Sequence, residues 1–133
     1  MGKSSVRKIE ELRTVAGVEI ELDKDLSKYS TMRLKASGDL ITISSVEAIM
    51  KVQKYLNENN LPSVILGMGA NTLLPEHSQW PYLQLNLPFD SSYLDEAREV
   101  YTLPASVRLS KLSSHASKFG LKGWDAFTGI PAT

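Results

Sequence analysis

The sequence has no cysteine and no excess of either charge. Its 133 residues include 15 lysines and arginines and 15 aspartates and glutamates, and neither sign forms a long block. The missing cysteines exclude disulfides, thiol catalysis and cysteine-ligated zinc. The balanced charge gives no electrostatic reason to expect binding to nucleic acid or to an anionic membrane. We therefore expect neither of these partners.

Long hydrophobic runs are missing as well. No uninterrupted apolar stretch approaches the roughly eighteen residues of a membrane span, and the N-terminus, Met1 to Lys8, lacks the apolar core of a secretory signal. We expect a soluble protein. Its length suits one domain, or one domain and part of another, because a chain of this size buries roughly two-thirds of its unfolded surface.

Recognisable catalytic and metal-binding motifs are absent. Neither Gly-x-Ser-x-Gly nor Gly-x-x-x-x-Gly-Lys-Ser/Thr occurs, so a hydrolase triad and a P-loop have no support. The two histidines, His77 and His115, have no partner at ligand spacing, which argues against a metal site. His115 falls between the apolar positions of its helix, and we expect its side chain to be solvated. No residue is nominated as a catalytic acid, base or nucleophile.

What the sequence does contain is a glycine loop between two apolar runs. Val64 to Leu66 leads into Gly67-Met68-Gly69-Ala70-Asn71-Thr72, and Leu73-Leu74 follows. Two glycines that flank one residue let the backbone take positive φ and leave N–H groups bare, as phosphate binding requires. A dinucleotide fingerprint is rejected, because Thr72 stands where its third glycine is needed. A tight turn in which glycine serves only the backbone stays open as the alternative.

Helix and strand patterns surround this loop. In chain order they first predict a helix capped by Ser4 or Ser5 and ending at Gly17, a strand at 18–22, and a hairpin of strands 32–34 and 40–43. A second helix is opened by Ser44 and Glu47 and is expected to bury Val46, Ile49, Met50 and Leu56. The remaining predictions are a buried strand at 64–66, strands at 82–85 and 100–103, and a helix at 109–119. The β-β-α-β order places the glycine loop at the carboxyl end of a buried strand. Ligands commonly bind there in α/β sheets.

The chain ends on an apolar, turn-forming segment, Gly123 to Thr133, without a polar tail. Such a segment usually has something further to pack against. We infer truncation or a partner, and self-association through this end is one possibility.

Four segments in order resemble the N-terminal part of UDP-N-acetylenolpyruvoylglucosamine reductase, also called UDP-N-acetylmuramate dehydrogenase. They are Leu26 to Leu34, Leu66 to Leu74, Leu109 to Leu112 and Gly129 to Thr133. The resemblance implies an α+β fold, the N-terminal subdomain of a vanillyl-alcohol-oxidase-like FAD-binding fold with a small mixed sheet flanked by helices. It divides the chain into an N-terminal helix and lead-in strand (1–22), a first FAD-binding subdomain (23–75) and the incomplete start of a second (76–133).

The resemblance also implies a function. In such reductases FAD accepts hydride from NADPH and passes it to the enolpyruvyl double bond of a UDP-sugar, in the cytoplasmic synthesis of peptidoglycan precursors for the cell wall. The residues that the resemblance places on the cofactor are Leu66, Gly67, Met68, Gly69, Ala70, Asn71, Thr72, Thr128, Gly129, Ile130, Pro131, Ala132 and Thr133. The catalytic arginine, serine and glutamate of these enzymes lie beyond the matched part. No catalytic residue is assigned, and the chain alone is predicted to be inactive.

Several glycines of these reductases are replaced in this chain. Where the reductases have Gly-Gly-Pro-Ala-Asp, this chain has Lys35-Ala36-Ser37-Gly38-Asp39, and where they have Gly-Gly-Gly-Ser-Asn, it has Gly67-Met68-Gly69-Ala70-Asn71. Their Gly-Ala-Gly is replaced by Pro104-Ala105-Ser106, and Ala132 replaces the second glycine of their Gly-Ile-Pro-Gly-Thr. An added Cβ at a position with positive φ would cost roughly 1 kcal/mol. One alternative is therefore a degenerate relative that has lost flavin and catalysis and acts as a binding or assembly module. Another is a different flavoprotein of the same superfamily, which would bind FAD without responding to the UDP-sugar.

Overall fold

A computed structural model describes residues 8 to 132. Within that range the chain forms one four-stranded mixed sheet and two α-helices that are described over their full length. The elements are β1 (Val18–Asp25), β2 (Ser37–Ile43), α1 (Val46–Glu58), β3 (Val64–Ile65), β4 (Tyr82–Leu85) and α2 (Leu109–Phe119), with 3₁₀ turns at Glu11–Thr14, Ser27–Tyr29, Ser91–Leu94 and Asp125–Phe127. The predicted α+β class, a small mixed sheet with helices, is confirmed.

The sheet brings three strand ends to one edge. Its order is β1-β2-β4-β3, with β1 antiparallel to β2 and with β2, β4 and β3 mutually parallel. The carboxyl ends of β2, β4 and β3 therefore lie on the same side, and the glycine loop follows β3 there. β3 and β4 lie on either side of the predicted subdomain boundary after residue 75 and are paired neighbours in this sheet. The division into subdomains stays a prediction.

Two strand predictions are wrong. The partner of β2 is β1, whereas Met32 to Leu34 forms a turn and irregular chain. Arg33 has a φ of +50°, which is incompatible with a strand. Residues 100–103 are also irregular. Tyr101 in that segment uses its hydroxyl in hydrogen bonds to Arg98 and His115.

The buried face of α1 differs from the predicted one. Val46 and Met50 are 65% and 66% exposed, while Ala48, Val52 and Leu56 are buried. These three positions recur at steps of four residues, and the small Ala48 lets the helix approach the sheet closely. The sequence prediction is right for Leu56 and for Ile49, which packs against the same cluster, and wrong for Val46 and Met50, because it overlooked Ala48 and Val52.

The cap of α1 is Ser45 and not Ser44. Ser45 Oγ accepts a hydrogen bond from Ala48 N at 3.1 Å. Ser44 Oγ instead donates to Gly17 O at 3.1 Å. Ser44 therefore binds the turn at Gly17, and Ser45 begins α1.

The first helix is described only in part. Ser4, Ser5 and Val6 lie outside the described residues. Residues 8 to 10 are helical and Glu11–Thr14 continues as a 3₁₀ turn, with Ile9 and Leu12 buried. Gly17 has a φ of +84°, as expected for the residue that ends this segment.

Two hydrophobic clusters hold the sheet, one on each face. The first includes Ile9, Leu12, Ile20, Ile41, Ile43, Ala48, Val52 and Leu56. The second includes Leu26, Ala36, Leu40, Leu66, Leu74 and Tyr82. Adjacent residues Leu40 and Ile41 enter opposite clusters because successive side chains of a strand alternate between faces. The second cluster matters for the site, since Leu66 and Leu74 bound the glycine loop.

The predicted strand at 64–66 is shorter and less buried than expected. β3 covers Val64–Ile65 and lies at the edge of the sheet. Ile65 is 78% exposed, whereas Leu66 is buried. In the described part of the chain, no helix has the length and the apolar character needed to cross a bilayer.

Candidate functional site

The glycine loop is anchored at both ends, and its two glycines differ in backbone conformation. Leu66 and Leu74 are 2% and 6% exposed and fix the two flanks in one cluster. Gly69 has a φ of +65°, as predicted, but Gly67 is not among the residues with positive φ. The positive φ that the two glycines permit therefore occurs at Gly69 and not at Gly67.

The replaced glycines carry no backbone strain. Positive φ among the described non-glycine residues occurs at Asp23, Arg33 and Asn60. Met68, Ser106 and Ala132, which stand where the reductases have glycine, are not in this group. Their Cβ atoms therefore add bulk without the strain considered above.

Gly69 also has a packing role. A Cβ built on Gly69 would lie 1.9 Å from Tyr29 O and 3.0 Å from Ser30 Cα. The loop thus approaches the main chain of residues 29–30 so closely that only glycine fits. The alternative interpretation, a tight turn in which glycine serves only the protein's own backbone, therefore holds in part at Gly69, where the glycine is needed for a contact within the protein.

The carbonyl oxygens of the loop are bound to the segment that precedes β2. Thr31 N donates to Gly69 O at 3.3 Å, and Thr31 Oγ1 donates to Ala70 O at 2.9 Å. Ser30 Oγ donates to Thr72 O at 2.6 Å. Within residues 8 to 132, none of the main-chain amides from Gly67 to Leu73 donates a hydrogen bond. Three carbonyl oxygens of the loop are therefore bound to one neighbouring segment while its amides are bare, an arrangement that suits an anionic ligand.

Two neighbouring cavities lie near the loop, and the first of them is lined by the loop residues Gly67 and Met68. The first, of about 300 Å³, is lined by Ile65, Leu66, Gly67, Met68, Gln84, Leu85, Ala105 and Ser106. The second, of about 620 Å³, is lined by Ser44, Asn86, Leu87, Pro88, Phe89, Ser106, Val107, Arg108 and Lys111. Ser106 lines both, and its hydroxyl accepts from Leu87 N at 3.0 Å. The two cavities therefore meet where the chain turns into α2.

The N-terminus of α2 adds positive charge to the larger cavity. Arg108 and Lys111 are both exposed, and neither forms a salt bridge among the described residues. The first turn of α2 contains no acidic residue and Arg108 supplies no side-chain cap. The helix dipole and the two cations therefore have the same sign at this position.

The C-terminal segment reaches this region through one residue. Leu109 N donates to Ala132 O at 2.8 Å, so Ala132 caps the first amide of α2. The other described members of the predicted cofactor segment are exposed and line neither cavity: Thr128, Gly129, Ile130 and Pro131. Thr133 lies outside the described residues. The structure thus brings Ala132, but not its predecessors, beside the cavity that adjoins the loop.

His115 is buried, contrary to the expectation of a solvated side chain. It is 7% exposed, with Nδ1 2.7 Å from Leu94 O and Nε2 2.8 Å from Tyr101 Oη. The carbonyl of Leu94 can only accept, so Nδ1 carries the proton of this bond. His115 therefore lies on the buried face of α2, where its ring is held by Leu94 and Tyr101. In the described part of the chain, no group of three or more histidine, aspartate and glutamate residues is arranged to hold a metal ion.

Sequence reasoning missed four residues that the structure places at the site. Ser30 and Thr31 hold the carbonyl oxygens of the loop. Ser106 and Arg108 line the larger cavity. The first two lie in the segment Leu26 to Leu34, which carries part of the resemblance, and this was the signal that could have found them.

The fold and the loop together define an α+β protein with a candidate anion-binding loop at the carboxyl edge of its sheet. Comparison with known proteins is more specific. The chain is 27% identical over 124 residues to the UDP-N-acetylenolpyruvoylglucosamine reductase of Clostridioides difficile, a match that covers 92% of this chain and 40% of that protein. It is 25% identical over 127 residues to the protein of the same name from Bacillus subtilis, covering 94% of this chain and 41% of the relative.

A solved structure agrees with these relatives. The crystal structure of UDP-N-acetylenolpyruvylglucosamine reductase from Thermus caldophilus matches with a TM-score of 0.61 at 24% identity, over 86% of this chain and 38% of that one. No model of a protein family matches the chain. The resemblance inferred from the four segments is confirmed: the chain is similar in sequence and in fold to part of these reductases. It spans about two-fifths of the length of the curated relatives it matches.

Proposed function

We propose that this chain is the FAD-binding portion of an oxidoreductase of the UDP-N-acetylenolpyruvoylglucosamine reductase type. The observation that carries the proposal is the row of main-chain amides from Gly67 to Leu73 without hydrogen-bond acceptors among the described residues, in a loop with three carbonyl oxygens bound to Ser30 and Thr31. Such a loop suits the two phosphates of a dinucleotide. Bound FAD would supply hydride transfer from NADPH to the enolpyruvyl group of a UDP-sugar, for peptidoglycan precursors in the cytoplasm.

The residues present fit a diphosphate. The loop follows a parallel strand at the edge where three strands end, a common position for nucleotide sites. Arg108 and Lys111 line the larger cavity, which meets the cavity of Gly67 and Met68 at Ser106, and they have no acidic partners among the described residues, so they can offset the charge of a phosphate that reaches it. Ala132 lies at the same helix end. We assign residues 66–72 to the diphosphate and residues 128–133 to further main-chain contacts.

Titration of the purified chain with FAD, followed by flavin fluorescence, tests the proposal. We expect saturable binding that ADP competes for and adenosine does not, because the loop recognises phosphate. Gly67→Val should weaken FAD binding at least about tenfold while the chain stays folded, since Gly67 is exposed and does not have positive φ. The absence of FAD binding, or equal competition by adenosine, would reject the proposal.

A second candidate is the degenerate relative that has lost flavin. Met68 favours it, because this half-buried side chain lines the smaller cavity beside the loop. Met68→Gly decides between the two. If the wild-type chain binds no FAD and Met68→Gly does, the methionine excludes the cofactor and the chain is a binding or assembly module. If both bind with similar affinity, Met68 is accommodated and the flavoprotein proposal stands.

A further inference from the structure

The side chains of Ser30 and Thr31 donate hydrogen bonds to two carbonyl oxygens of the glycine loop, those of Thr72 and Ala70. We propose that both are positioning residues: their hydroxyls hold these two oxygens on the side where the main-chain N–H of Thr31 also binds Gly69 O, and so help to turn three amides of the loop to the other side. This inference rests on the proposed diphosphate site and names what pre-organises it.

The orientation follows from peptide planarity. The described peptide bonds are all trans. In a planar trans peptide, the carbonyl of one residue and the N–H of the next point in opposite directions. The carbonyl oxygens at positions 69, 70 and 72 face Ser30 and Thr31, with which they form hydrogen bonds. The N–H groups that therefore face away are those of Ala70, Asn71 and Leu73.

These three amides donate no hydrogen bond among the described residues. Two of the three residues, Asn71 and Leu73, are exposed, the latter by 72%. Successive N–H groups that share one open side form an anion-binding concavity.

The hydroxyl of Ser30 is held from two directions. Ser30 is 6% exposed, donates to Thr72 O at 2.6 Å and accepts from Met32 N at 3.3 Å. The close approach of Gly69 to Tyr29 presses the loop against the same segment. The loop is therefore ordered before a ligand arrives, and binding need not order it at that moment.

Two substitutions in the full chain test this inference. Ser30→Ala and Thr31→Val remove the hydroxyls with little change of shape. We expect each to weaken ADP and FAD binding about tenfold, which corresponds to about 1.4 kcal/mol. We also expect lower ¹⁵N order parameters at residues 69–73 without ligand. Ser30→Thr keeps the hydroxyl at an extended residue and should restore both values.

Ser78→Ala is the matched control. Ser78 Oγ also donates to one main-chain carbonyl and accepts from the N–H two residues on, Trp80 O at 2.7 Å and Trp80 N at 3.3 Å, but both bonds are local and hold no carbonyl of the glycine loop. This variant should leave the order of the loop and its ligand affinity unchanged. An equal effect in Ser78→Ala would overturn the inference, as would unchanged loop order in Ser30→Ala and Thr31→Val.

The affinities and the order parameters separate the two proposals. If the wild-type chain binds neither ADP nor FAD, the proposed function fails, and the order parameters alone still decide whether the two hydroxyls hold the loop. If the wild type binds and the variants lose loop order without losing affinity, the positioning role is overturned while the diphosphate site stands.

Discussion

Gly67 and Gly69 differ in backbone conformation although they have matching positions in the loop. Gly69 is left-handed and touches the main chain of Tyr29, whereas Gly67 is exposed and has no positive φ. The two glycines therefore respond to different tests. Substitution of Gly67 probes the space for a ligand, and substitution of Gly69 probes the folding of the loop.

Gly69→Ala should destabilise the folded chain by about 2–4 kcal/mol. The estimate combines roughly 1 kcal/mol for a left-handed alanine with about 1–3 kcal/mol for a Cβ that forces the main chain of Tyr29 to move. Gly120 is the matched control, because its φ of +63° is similar and a Cβ there would meet nothing within 4 Å. Gly120→Ala should cost about 1 kcal/mol. Urea unfolding measures both, and equal losses would contradict the packing role of Gly69.

At the scale of elements, the local patterns were predictable and the pairings were not. Both α-helices and the strand at 82–85 follow from spacing over a few residues. The pairing of β1 with β2 and the exposed edge position of β3 depend on contacts that no local pattern contains. The site divides in the same way. The loop was predictable, but Ser30 and Thr31 lie about forty residues from the oxygens they bind.

The N-terminal segment is joined to α1 by a phenol whose protonation affects stability. Tyr55 Oη lies 2.7 Å from Glu11 Oε2 and 2.8 Å from Lys8 O. Burial, and then the Glu11 carboxylate, raise the pKa of Tyr55 to about 12 from an ordinary value of about 10. The folded chain therefore holds this proton more tightly than the unfolded chain does.

We expect this stabilisation to be complete below about pH 10 and to be lost as the pH rises towards about 12. Urea unfolding across this range should show a decline in the free energy of unfolding. Tyr55→Phe removes the titrating hydroxyl and should reduce the slope of that decline. An unchanged slope in the variant would show that other groups cause the pH dependence.

At the scale of the whole molecule, the chain combines a complete sheet with apolar surface near its C-terminal end. Phe127 and Ile130 are each 44% exposed. Self-association through this end stays a prediction. The relatives are about two and a half times as long as the matched part, and the resemblance places their catalytic arginine, serine and glutamate beyond it. Cofactor binding and catalysis are therefore separable questions for this chain.

We expect the chain to bind FAD without oxidising NADPH in the presence of enolpyruvyl-UDP-N-acetylglucosamine. The loop offers amides for a diphosphate, but the resemblance places the catalytic arginine, serine and glutamate beyond the matched part. Loss of NADPH absorbance, with and without the UDP-sugar, measures this directly. The reductase of Bacillus subtilis, assayed in parallel, shows that the substrates are competent. Oxidation that requires the UDP-sugar and disappears in Gly67→Val would contradict the expectation, because catalysis would then occur at the loop of this chain itself.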